Sequence, residues 1–229
     1  MFSYDSIAFS LDLIGTIAFA ISGALLGIRR SMDLFGILVL GVVTAVGGGM
    51  IRDTLLGLTP PRALVSPLFS EVAVVSSLLL FLLFFLRRDL LMSHYLEIFE
   101  RVLVFFDALG LGAFTVVGMN VAAQAGHGDH GFLLLFMGMI TGIGGGIIRD
   151  LLAGIVPFVF IRHVYAGASL GGGFVYLLLA HLFGDSTAML GGFFAVVLLR
   201  MFAYHYQWHL PRILFEEPDY VQEAEKEQL

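Results

Sequence analysis

Two arginine–aspartate pairs stand deep in apolar sequence, each just after a run of three glycines. They are Gly47-Gly48-Gly49-Met50-Ile51-Arg52-Asp53 and Gly144-Gly145-Gly146-Ile147-Ile148-Arg149-Asp150. Along a helix, charge and glycine lie within about 6–11 Å of each other. Charges at such depth in a bilayer are expensive and face an aqueous path or a partner. Two kinds of chemistry follow. The carboxylates of Asp53 and Asp150 can serve cations or hold a closed state, with the arginines neutralised or kept out of the narrowest region. Alternatively the repeats clamp each other, for example Arg52 with Asp150, and a clamp with two arrangements is a gate.

The glycines bear on the same question. Each interior glycine costs a helix about 1 kcal/mol relative to alanine, so a triplet weakens it by roughly 3 kcal/mol. Broken backbone at membrane depth is tolerated where it is buried in protein or lines a wet cavity. Gly47, Gly48, Gly49, Gly144, Gly145 and Gly146 are therefore expected to kink a pore or site helix, freeing carbonyls that can ligate cations. The competing role is close packing, since small residues let membrane helices approach.

The motif is one part of an internal duplication. Residues 41–60 laid on 138–157, a shift of 97, match at 11 of 20 positions, including Thr44 with Thr141 and Pro60 with Pro157. Upstream the shift is 95 and pairs Asp12 with Asp107, Gly15 with Gly110 and Gly23 with Gly118. Asp12 and Asp107, near the starts of their helices, are candidates for opposite mouths of a path. Thr44 and Thr141, one turn before the triplets, could offer hydroxyls to a permeating ion or serve helix packing.

Composition dictates the setting. The chain has 229 residues, 59% apolar and 13% charged, too much apolar surface for a soluble protein of this length. Most of the net charge of −6 comes from the tail, 216–229, which holds six of the 18 acids and the only lysine, Lys226, and so leaves the rest of the chain nearly neutral. A basic nucleic-acid surface is unsupported. Without cysteine, disulfides, thiolate metal sites and cysteine nucleophiles are excluded. No Lys-Ser or Lys-Thr follows the glycines, so they are not a phosphate loop. No nucleophile–base pair stands out, and His127, His130, His163 and His181 lack metal-ligand spacing, so neither an enzyme nor a resident cofactor is expected.

Seven apolar stretches are long enough to span a bilayer, near 8–28, 34–57, 67–86, 102–123, 131–155, 165–183 and 185–205. No Lys or Arg precedes the first, which reads as a retained span although Ala18-Phe19-Ala20 resembles a cleavage site. With the N-terminus outside, one face collects Arg29, Arg30, Arg87, Arg88, Arg101, Arg149, Arg162, Arg200, Arg212 and Lys226, against Arg52 and Arg62 on the other. This predicts N-out, C-in insertion in the plasma (inner) membrane. Three helices per repeat invert the copies, giving a pseudo-two-fold axis in the membrane plane. The expected architecture is all-α: one transmembrane domain over 1–215, with repeats near 8–86 and 102–183 and an added helix near 185–205. A short acidic cytoplasmic tail, 216–229, follows.

Two copies of a three-helix unit, each with Gly-Gly-Gly-x-Ile-Arg-Asp in its middle helix, plus a seventh helix, resemble the prokaryotic trimeric intracellular cation (TRIC) channels. Bacterial members are also described as a glycine transporter family. The resemblance covers roughly 8–205. It implies a homotrimer in membrane lipid, with a K⁺- and Na⁺-conducting pore in each subunit and no cofactor beyond the passing cation. It also implies that helices kinked at Gly47–Gly49 and Gly144–Gly146 line the pore, with Arg52, Asp53, Arg149 and Asp150 as gating positions. Sequence physics alone supports equally a secondary transporter of a small solute such as glycine.

Overall fold

The computed structural model describes residues 4–87, 96–161 and 164–208. Its elements, in order, are α1 (Tyr4–Arg29), α2 (Leu34–Leu55), α3 (Arg62–Val65), α4 (Leu68–Leu86), α5 (Leu96–Ala122) with a π-helical turn (Ala123–His127) at its end, α6 (Gly131–Leu152), α7 (Phe158–Ile161), α8 (Tyr165–Phe183) and α9 (Asp185–His205). Among the described residues, seven helices are long and apolar enough to cross a membrane, and they coincide with the seven expected stretches. The acidic tail lies outside the described residues.

Local chemistry sets the helix ends. The Asp33 carboxylate caps α2 by accepting from the Gly36 N–H at 2.7 Å. The two motif helices terminate alike: Gly57 and Gly154 adopt φ of 71° and 67°. The N–H groups of Leu58 and Ile155 then reach back to the Asp53 and Asp150 carbonyls at 2.8 and 3.0 Å. A glycine-ended cap of this kind satisfies carbonyls that lipid would leave bare. The short α3 and α7, which hydropathy does not foresee, follow these caps in equivalent positions. Between α8 and α9 a single residue, Gly184 at φ 84°, makes the whole turn.

The repeats face each other head to tail. Gly48 lies against the Thr141 carbonyl and Gly145 against the Thr44 carbonyl, while Gly47 meets Ile148 and Gly144 meets Ile51. Residue numbers rise on α2 as they fall on α6, so these helices cross antiparallel. α1 and α5 do the same, with Gly15 against Phe114, Gly110 against Phe19, and the two phenylalanines edge to face at 5.2 Å. Each contact between equivalent helices thus has its mirror partner, as an inverted repeat requires. α9 has no counterpart and packs on α8 and α5. The exterior carries long apolar side chains, among them Leu79 and Leu86 on α4, Phe174 and Leu178 on α8, and Phe194 and Leu198 on α9.

Both motif helices run unbroken through their triplets. No carbonyl is freed in this conformation. The middle glycines instead allow two backbones to touch: a Cβ at Gly48 or Gly145 would stand 2.1 Å from a backbone oxygen of the opposite helix. Other glycines serve contacts within the subunit in the same way, with Gly23 against Leu40 and Thr44, and Gly138 and Gly142 against Thr115.

Candidate functional site

The second motif lies at the end of α6, where α1, α5, α8 and α9 converge on it. Arg149 donates from Nε to Asp150 Oδ1 at 2.8 Å, and from Nη1 to Asp107 Oδ1 at 2.7 Å and to Ser22 Oγ at 2.5 Å. Asp150 Oδ2 accepts the Phe158 N–H at 2.8 Å, and the Phe158 ring lies 5.2 Å from the Arg149 guanidinium. From α9, Arg200 Nη2 comes within 3.9 Å of Asp107 Oδ2, its guanidinium 4.6 Å over the Tyr165 ring. All four charges are at most 1% exposed. Two carboxylates and two guanidiniums balance, as buried charges must. Satisfaction is incomplete, because Asp107 Oδ2, Arg149 Nη2 and the Tyr165 hydroxyl have no hydrogen-bond partner among the described residues.

The first motif repeats half of this arrangement. Arg52 donates from Nε and Nη2 to Asp53 Oδ1 at 2.8 and 2.7 Å, and Asp53 Oδ2 accepts the Arg62 N–H at 2.9 Å. Arg62 therefore stands where Phe158 stands in the other repeat, through the same backbone bond but with an exposed cationic side chain. No ion pair or hydrogen bond joins Arg52 to Asp12. Instead a cavity of about 110 Å³ separates them, lined by Asp12, Thr16, Gly49, Arg52, Asp53 and Arg62 together with apolar neighbours.

The difference traces to three positions. Ser22, which receives Arg149, corresponds at the 95-residue shift to Val117, which carries no hydroxyl. Tyr165 corresponds at the 97-residue shift to Leu68. Arg200 belongs to the unduplicated helix. One end of the bundle is consequently closed by a charged hub, while the other keeps a polar cavity.

The structure brings Arg149, Asp150 and Asp107 together and leaves Asp12 facing the other cavity with Arg52 and Asp53. Asp107 is therefore no open mouth. The cross-repeat clamp of Arg52 with Asp150 does not form. Antiparallel crossing puts Arg52 opposite roughly residues 137–143, at least about 10 Å along the axis from Asp150. Thr44 and Thr141 are fully buried and donate to the Leu40 and Met137 carbonyls at 2.5 and 2.6 Å, so their hydroxyls are committed to their own helices. Among the triplet residues, Gly49 lines the polar cavity and Gly47 a groove between α2 and α6.

Sequence reasoning missed Arg200, Ser22, Tyr165 and Phe158 as parts of this site. Arg200 was legible as a buried charge, since it follows a long apolar run inside α9 rather than flanking it. Arg149 and Arg200 both counted toward the arginine-rich face, yet both are fully buried, and Arg52 is 6% exposed. Removing all three leaves eight basic residues against one, so the asymmetry survives.

The family model described as Glycine transporter matches residues 9–85 and 104–181, one match per repeat. A UPF0126 membrane protein of Deinococcus radiodurans is 47% identical over 193 residues, spanning 83% of this chain and 84% of that protein. The UPF0126 inner membrane protein YadS of Escherichia coli is 39% identical over 209 residues, spanning 90% and 96%. Among solved structures, the TRIC trimeric intracellular cation channel orthologue from Rhodobacter sphaeroides superposes with a TM-score of 0.77 at 33% identity, covering 88% of this chain and 99% of that one.

Proposed function

The chain belongs to the family described as Glycine transporter, that of the UPF0126 membrane proteins, and has the fold of the TRIC channels; on that premise we propose that it is a cation channel. It is a multi-pass inner membrane protein. In this reading each subunit of a homotrimer passes K⁺ and Na⁺ down their gradients, with the N-terminus outside and the arginine-rich face in the cytoplasm.

The observation that carries the mechanism is the inequality of the two motif ends. A polar cavity bearing Asp12 and Asp53 approaches the α2–α6 crossing from one face, and the Asp107–Arg149–Arg200 hub seals the other. The hub is the closed gate. A neutral, desolvated network with unmatched polar atoms gains little over alternative pairings, so a modest push can rearrange it. Motion at the glycine contacts, where backbones touch without side chains, would carry that rearrangement across the subunit. Asp12, with no guanidinium bonded to it, is placed to attract an entering cation.

Recording from purified protein in a planar bilayer, with K⁺ on both sides and then a K⁺/Na⁺ gradient, tests this directly. Discrete cation-selective steps are expected. One observation favours a second reading. The 110 Å³ cavity presents two carboxylates, Asp12 and Asp53, and two guanidiniums, Arg52 and Arg62, together, which suits a small zwitterion such as glycine. Saturable glycine uptake with counter-flow and no unitary currents would replace the channel by a carrier.

A further inference from the structure

On the arginine-rich face, the ends of α1, α6 and α7 enclose a cavity of about 420 Å³. Leu26 and Phe158 form its buried floor, Ile155 and Val156 an apolar wall, and Arg29 and Arg30 its exposed rim. Arg29 lies 3.2 Å from Glu100, but with the two side chains 44% and 39% exposed that pair is weak and readily exchanged. The Arg30 guanidinium has no partner among the described residues.

The duplication supplies an internal control. Ninety-five positions on, Arg29 and Arg30 become Gln124 and Ala125, in the π-helical turn that ends the corresponding span. The fold therefore does not require arginines at this helix end. Paired guanidiniums over an apolar floor, at the depth where a spanning helix leaves the hydrocarbon, match a phosphate that carries its own apolar body.

We propose that this cavity binds one acidic phospholipid per subunit, its phosphate between Arg29 and Arg30 and its glycerol end against Leu26, Ile155 and Phe158. Phe158 is also a wall of the hub, since its N–H holds Asp150 and its ring lies against Arg149. Occupancy of the cavity thereby bears on the hub. This consequence rests on the channel reading, whereas the binding does not.

The test is thermal unfolding of the whole protein in nanodiscs of phosphatidylcholine alone and with phosphatidylglycerol, alongside native mass spectrometry of retained lipid. Phosphatidylglycerol should raise Tm by about 2–4 °C per engaged arginine and remain bound at one per subunit. The double variant Arg29→Gln/Arg30→Ala, which installs the pair the chain already carries at 124–125, should lose both effects. Arg87→Ala, on the same face outside the cavity, should keep them. Soluble glycerol phosphate should give no shift. No shift in the wild-type chain, an equal shift in the double variant, or an equal shift with glycerol phosphate would each overturn the proposal. None of these readouts depends on ion flux, so failure of the channel reading leaves the test intact.

Discussion

The Asp107 carboxylate accepts a hydrogen bond from Arg149 at 2.7 Å, whereas Asp12 and Arg52, the same two positions in the first repeat, have a cavity between them. Identical motif residues therefore sit in unequal surroundings, and the inequality makes separable predictions.

Asp107→Asn removes one carboxylate from a buried network of four charges. Stability should fall by about 3–5 kcal/mol, the usual cost of leaving a buried partner uncompensated. Asp12→Asn should change stability little and lower unitary cation conductance. Thermal unfolding in detergent and bilayer recording read the two effects. Equal loss of stability in both variants would contradict the inequality.

Arg200→Gln should resemble Asp107→Asn, and the double variant Asp107→Asn/Arg200→Gln should recover part of the lost stability, because it removes opposite charges together. A double-mutant cycle on Arg29 and Glu100, an exposed pair, should give coupling of only about 0–1 kcal/mol that salt abolishes.

Gly48→Ala and Gly145→Ala each force a methyl group to 2.1 Å from a carbonyl of the opposite helix, where no side chain can give way. Overpacking of this kind costs about 1–3 kcal/mol. Gly49→Ala meets only the Arg52 guanidinium, at 3.5 Å, and should be tolerated. Folded yield and Tm of the three variants check the order. If Gly49→Ala alone abolishes current while remaining folded, the triplet acts in the pore as well as in packing.

The absence of native cysteine allows a direct test of orientation. Gly128→Cys should react with an impermeant maleimide added outside intact cells, and Tyr206→Cys only after the membrane is opened. The reverse pattern would invert the topology.

Hydropathy and the repeated Gly-Gly-Gly-x-Ile-Arg-Asp were enough to place seven spans, the duplication and its inversion. These depend on local quantities: the length of an apolar run, the parity of three crossings and the spacing of identical residues. The pairing of Arg149 with Asp107, 42 positions apart, was not legible, because nothing local distinguishes Arg149 from Arg52 or Asp107 from Asp12. Likewise the triplets read as helix breakers, yet propensity yields to contact when two glycine faces can bring backbones together.

The sequence by itself determined a seven-span inverted repeat with two sets of buried charge, since solvation in a bilayer acts residue by residue and must be met by any fold of this chain. Only the tertiary structure decided that one set is clamped and the other faces a cavity. That outcome turns on Ser22, Tyr165 and Arg200, which three different helices bring to one end of the bundle and the duplication does not supply at the other.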